Sequence, residues 1–255
     1  MSKFVAKLKD LSKSSTTPIG FRTSVSELKR PAMLLIARLS GTKIDEAKMI
    51  ADGNANAGLI WDEGPSIKIV GQMVKALADI PLGVFVKGMS QEKIDELASL
   101  GCDFIVSDIS MPASILQKEE VGKFLMIEPS LDQGFVRAIN SLDIDGVFIS
   151  NKNEDSFIAV EHLLVYRRFV EILEKPVIMT LPSLFTKDEL TSLWQAGVVG
   201  LVSSLRQTGE SLGELEKMIS KLHGKAKSRR AKADVKLPHY NGSAVGDEDE
   251  EQEEI

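Results

Sequence analysis

Ile80-Pro81-Leu82-Gly83-Val84-Phe85-Val86-Lys87, a segment opened by Ser90-Gln91-Glu92 and closed by Gly101, then Cys102-Asp103-Phe104-Ile105-Val106-Ser107-Asp108 read as strand, helix and strand. Apolar runs this short and continuous suit strands covered on both faces, as in a parallel sheet. Ser90 is placed to open the intervening helix, and Gly101 to end it in a left-handed turn. The same rhythm recurs on either side. Apolar runs stand at Ala32–Leu39, Ala57–Trp61, Leu82–Lys87, Phe104–Ser107, Phe124–Glu128, Gly146–Ser150, Pro176–Leu181 and Gly200–Ser204, each followed by a helix-like segment. Eight such units predict an α/β protein of the (β/α)8, or TIM-barrel, type over residues 32–222. About 190 residues is the lower end for a closed barrel, so its loops are expected to be short.

Helix-opening signals fall where the barrel needs them: Thr42-Lys43-Ile44-Asp45 after the first strand and a capping box at Thr186-Lys187-Asp188-Glu189 before the last. Gly197, like Gly101, closes a helix just ahead of a strand. A quasi-repeat runs beneath. Asn56-Ala57-Gly58, Cys102-Asp103-Phe104, Ile144-Asp145-Gly146 and Val198-Val199-Gly200 introduce the even strands, whereas Ile80-Pro81-Leu82 and Lys175-Pro176-Val177 introduce odd ones. Such a two-strand period matches an interior filled in layers by alternate strands.

Outside the barrel, residues 1–31 read as a short amphipathic helix, Met1–Ser12, followed by a Ser/Thr-rich linker that reaches Pro18-Ile19-Gly20. The helix is expected to cap the bottom of the barrel, the alternative being a membrane-surface anchor with a small apolar stripe. From His223 to Ile255 a basic stretch that includes Arg229 and Arg230 gives way to an acidic one from Asp247 to Glu254. Neither has the apolar content to fold, so 223–255 is expected to be a disordered tail that solubilises the chain or docks a protein partner.

A net charge of −6 argues against nucleic acid as partner. The single cysteine, Cys102, points to a reducing compartment. No apolar run approaches the roughly 20 residues that would cross a bilayer. The N-terminus lacks a secretory core, and a cytoplasmic protein without membrane contact is expected.

In such a barrel the chemistry sits where the strands end at their carboxyl side. The polar residues there are Arg38 and Ser40, Asp62 and Glu63, Lys87, Ser107 and Asp108, Glu128, Ser150 and Asn151, Thr180 and Ser183, and Ser203, Ser204 and Arg206. Lys87 leaves an apolar strand at the mouth, where desolvation would lower its pKa and make it an acid, base or imine former. A salt bridge to Asp62 or Asp108 would satisfy the same charge without turnover. Asp62, Asp108 and Glu128 are the candidate oxygen ligands for Mg²⁺. No histidine ends a strand, which leaves carboxylates and Lys87 to supply acid–base chemistry. Ser183, Ser203, Ser204 and Arg206 stand where a phosphate is held in this architecture, ahead of a helix that Thr208 or Ser211 could equally cap. Whether these groups share one cavity depends on strand register, because one residue of slip turns a side chain from the mouth to the helix layer.

Val84-Phe85-Val86-Lys87-Gly88, Leu125-Met126-Ile127-Glu128 and Phe148-Ile149-Ser150-Asn151 resemble the aldolase-type, ribulose-phosphate-binding barrels, with a faint likeness to the indole-3-glycerol-phosphate synthase family. That family ends strand three in a catalytic lysine, strand five in a glutamate and strand six in an asparagine, at the places of Lys87, Glu128 and Asn151. Its strand-one glutamate and lysine are not matched by Leu35-Ile36-Ala37-Arg38-Leu39, and Leu181-Pro182-Ser183 replaces its Ser-Gly pair after strand seven. The resemblance implies a barrel of a lineage that handles small phosphorylated or carboxylated metabolites. The expected function is a lyase or isomerase in which Lys87 is acid–base or imine former, Asp108 and Glu128 are its proton partners, and Arg38 or Arg206 holds the anion. A non-catalytic scaffold that acts through the charged tail is the alternative.

Overall fold

The computed structural model describes residues 1–13, 31–62, 64–150, 157–182, 185–204 and 212–222. Strands β1 (Leu34–Leu39), β2 (Ala57–Ile60), β3 (Leu82–Val86), β4 (Phe104–Ser107), β5 (Gly122–Ile127), β6 (Gly146–Ile149), β7 (Val177–Thr180) and β8 (Gly200–Ser204) are parallel and close in sequence order. Closure sets Arg38 of β1 level with Ser204 of β8 on one side and Leu59 of β2 on the other. Around them lie helices α2 (Asp45–Asp52), α3 (Ile67–Leu77), α4 (Gln91–Ser99), α5 (Gln133–Ala138), α6 (Val160–Ile172), α7 (Lys187–Ala196) and α8 (Leu212–Ser220). One crossover departs from the expected rhythm. Between β4 and β5 the described chain forms only the 3₁₀ turn Ala113–Gln117, which begins directly after Pro112.

Local signals act as their chemistry dictates. Thr186 Oγ1 accepts the Glu189 N–H at 3.2 Å and Glu189 Oε2 accepts the Thr186 N–H at 2.6 Å, which completes the capping box of α7. Gly101 and Gly197 adopt φ of 93° and 96°, the left-handed conformation that ends α4 and α7. Among the described residues no helix is long and apolar enough to cross a membrane. The linker over 14–20 and the tail 223–255 lie outside the described residues.

Alternation along each strand divides the apolar side chains into two separate clusters. One faces the helices. The other fills the barrel and is dominated by Phe85, Phe104, Phe124 and Phe148. These rings fit because glycine stands beside them: a Cβ at Gly83 would lie 2.2 Å from the Phe104 ring, and one at Gly146 would lie 2.8 Å from Phe124. Helix α1 (Lys3–Lys13) closes the base. Its Phe4 stacks on Phe104 at 4.5 Å and tilts against Phe124 at 5.3 Å, with Val5 and Leu8 buried beside it. The apolar stripe is thus spent inside the barrel.

The quasi-repeat has a structural cause. Asn56, ahead of β2, accepts the Leu35 N–H at 2.8 Å, and Asp145, ahead of β6, accepts the Lys123 N–H at 2.9 Å; each fastens its strand to the preceding odd one. Asp103, ahead of β4, turns instead to α1. It accepts Ser2 Oγ–H at 2.7 Å, Lys3 N–H at 2.7 Å and Phe4 N–H at 2.9 Å, so a carboxylate satisfies the orphan donors of the helix start. Lys7 reaches the Asn56 carbonyl at 2.8 Å, and burial lowers its pKa against the opposing pull of Asp103. Cys102, buried behind β4, donates to the Phe104 carbonyl at 3.2 Å, and burial pushes its thiol up to about 12, far from a reactive thiolate.

Lys123 is buried on the helix-facing side of β5. Its Nζ donates to Asp143 Oδ2 at 2.6 Å and to the Leu116 carbonyl at 2.7 Å. That hydrogen bond and charge hold the Asp143 carboxyl below its ordinary value. A carboxyl lowered by folding stabilises above its unfolded pKa, and the benefit is lost as pH falls through the folded one. Acid unfolding of Asp143→Asn should therefore be less steep below about pH 4 than that of the parent. At pH 7 the variant should lose about 1 kcal/mol, the net worth of one hydrogen bond, since Asp143 is itself 80% exposed. Urea titrations at several pH values read both effects.

Candidate functional site

The register that the sequence leaves open is settled by the two clusters. Leu34 and Ile36 lie in the barrel, so two-residue alternation gives Arg38 the same side. By the same rule Lys87 follows Phe85, Asp108 follows Val106, Glu128 follows Phe124 and Met126, Thr180 follows Ile178, and Ser204 follows Val202. Arg38, Thr180 and Ser204 thus take inward-register positions within their strands, and Lys87, Asp108 and Glu128 stand one residue past the ends of theirs, all six at the carboxyl end above an apolar floor. Thr180 is buried, Arg38, Asp108 and Ser204 are half-buried, and Lys87 and Glu128 are exposed on the rim. Lys87 therefore does not have the desolvated setting expected for it.

One wall of the mouth is aromatic. The Arg38 guanidinium lies 5.0 Å from the Trp61 ring centroid, and Trp61 stacks on Phe85 at 5.3 Å with 16° between the planes. Such stacking orients a planar guanidinium while leaving its edge N–H groups directed away from the ring. Trp61 is absent from the sequence-derived set because that set collected only polar strand ends. Its signal is available, since it continues the register of Ala57 and Leu59 by one further step.

Two expected members stand elsewhere, and a third, Asp108, is held at the mouth in a turn of its own. Ser203 shares the side of Leu201, in the helix-facing cluster, and is 1% exposed with no hydrogen-bond partner for its Oγ, so it does not belong to a phosphate site at the mouth. Asp62 accepts the Gly41 N–H at 2.8 Å and so pins the loop after β1. Asp108 Oδ1 accepts both the N–H of Ser110, at 2.9 Å, and its hydroxyl, a turn closed on itself. Asp62, Asp108 and Glu128 accordingly do not assemble into an Mg²⁺ site: among the described residues no three His, Cys, Asp or Glu side chains form a group that could hold a metal ion.

Two further strand-end serines are also structural. The Ser40 N–H and Oγ–H donate to Glu46 at 2.7 and 2.8 Å, and Ser107 Oγ–H donates to the Met111 sulfur at 3.0 Å. Asn151, Ser183 and Arg206 lie outside the described residues, as does Glu63.

No protein-family model matches the sequence, and no curated protein does. Solved structures match in fold. The tryptophan synthase alpha subunit of the hyperthermophile Pyrococcus furiosus is 14% identical, with a TM-score of 0.57 over 75% of this chain and 97% of that one. A single-residue variant of that subunit is 15% identical at a TM-score of 0.60 over 75% and 97%. A protein of Aquifex aeolicus VF5 is 14% identical at 0.58 over 86% and 98%. The closed eight-stranded barrel expected from the sequence is thus a fold shared with solved structures. At this identity the likeness establishes architecture alone.

Proposed function

We propose that the carboxyl end of the barrel is the active site of a lyase or isomerase for a small phosphorylated or carboxylated metabolite. The observation that carries this reading is the shared register: Arg38, Lys87, Asp108, Glu128, Thr180 and Ser204 all follow barrel-facing residues, so one rim collects cations, carboxylates and hydroxyls above an apolar floor. Arg38, oriented by Trp61, binds the anionic group of the substrate, and Ser204, beside it in register, adds a hydroxyl. Glu128 takes a proton from the reacting centre and Lys87 returns one to the departing or rearranging atom. Asp108 steadies the charge of Lys87 from a carboxylate already fixed by Ser110. The fold of tryptophan synthase alpha subunits supports an enzyme of this type by analogy.

Thermal-shift measurements against sugar phosphates and keto acids are the direct test, since a ligand specific to the native state raises the melting point. Arg38→Ala should abolish the shift given by the parent. With that ligand as substrate, Lys87→Ala should lower turnover about 10²-fold or more at unchanged melting temperature. A Lys87→Ala protein as active as the parent, or a shift that survives Arg38→Ala, would refute the assignment. The scaffold alternative concerns residues 223–255, outside those described.

A further inference from the structure

Helix α6 is apolar on two sides. Tyr166, Phe169 and Val170 are buried against the barrel, yet Val160 and Leu164 on another face are 72% and 67% exposed, and Phe157 just ahead of the helix is 66% exposed. Phe135 on neighbouring α5 is exposed as well. A helix of a soluble barrel needs one apolar stripe; a second, exposed one marks a contact surface.

We propose that this face of α6 joins two copies of the chain about a two-fold axis passing beside Leu164. The charges select this occupant. Val160, Leu164 and Arg168 follow at four-residue steps along one exposed stripe, with Glu161 beside Val160 and seven residues, two helical turns, before Arg168. When two such helices run antiparallel and cross between residues 164 and 165, each Glu161 meets the partner's Arg168 while the Leu164 side chains meet near the axis. A parallel arrangement would oppose like charges instead. The antiparallel one also sets each helix's positive end beside the other's negative end. A two-fold interface must be complementary to itself, and this stripe is. Arg168 uses one N–H toward the Pro129 carbonyl at 3.0 Å and has further donors for a carboxylate. Arg167 is committed within its own chain, to Glu171 and the Gln195 carbonyl.

Sedimentation equilibrium of the full chain at roughly 50 µM, where a modest interface associates, should give twice the chain mass of 27.9 kDa. Leu164→Glu, at a surface position that leaves the fold intact by circular dichroism, should weaken association about tenfold or more. Glu161→Arg and Arg168→Glu should each weaken it, and the double exchange should restore it. A monomer throughout the concentration range, a dimer indifferent to Leu164→Glu, or a double exchange as weak as the single ones would overturn the proposal.

Discussion

Phe104→Ala is expected to cost about 3–5 kcal/mol, the range for a fully buried aromatic, and to lower the melting temperature on the order of 10 °C in a domain of this size. The ring is wholly buried and central: it stacks on Phe4 of α1 at 4.5 Å and meets Phe124 edge-on at 5.5 Å. Its removal opens a cavity where two strands and the base helix converge, and neither strand can collapse inward without breaking ladder hydrogen bonds. The complementary substitution sharpens the claim. Gly83→Ala alone places a Cβ 2.2 Å from the Phe104 ring and should cost about 1–3 kcal/mol through overpacking. In the Phe104→Ala background the added methyl enters vacated space, so the second change should be neutral or stabilising. Denaturant unfolding of the four proteins gives the coupling energy, and strictly additive costs would mean that the two residues do not share the space.

Asp103→Ala should be nearly as damaging, by about 2–4 kcal/mol, because one carboxylate accepts from three donors at the start of α1. The loss should be local in its first effect. Amide exchange in α1 should accelerate well before that of the strands, and Phe4 should leave the base of the barrel with it. Asp103→Asn keeps an acceptor and loses the charge, so it should fall between parent and alanine variant. Unchanged exchange in α1 would show that apolar packing alone holds the helix.

How far these features can be read from sequence depends on the range of the interaction involved. The strands at Phe104–Ser107 and Gly200–Ser204, the capping box at Thr186 and the left-handed glycines at 101 and 197 are set by chemistry within a few residues, and the chain shows them directly. The two-strand period is equally visible, but its meaning is not: Asn56 and Asp145 fasten adjacent strands, whereas Asp103 serves a helix about 100 residues away in sequence. The helix expected between β4 and β5 is replaced by the 3₁₀ turn Ala113–Gln117.

The rim shows the same division. Arg38, Lys87, Asp108, Glu128 and Ser204 belong to a strand-end list that the chain itself supplies, because apolar runs end visibly in polar residues. The list cannot separate Ser204 from Ser203, one position away, nor exclude Asp62, whose oxygen is claimed by the Gly41 N–H of another loop. By itself the sequence determined a closed ring of eight parallel strands and the residue types at its mouth, since apolar periodicity and caps act over one or two turns of chain. Only the tertiary structure decided which of two adjacent residues faces the interior, that Trp61 braces Arg38, and that α1 fills the base. Those outcomes come from strand register and ring closure, which bring together side chains with no local relation in the chain.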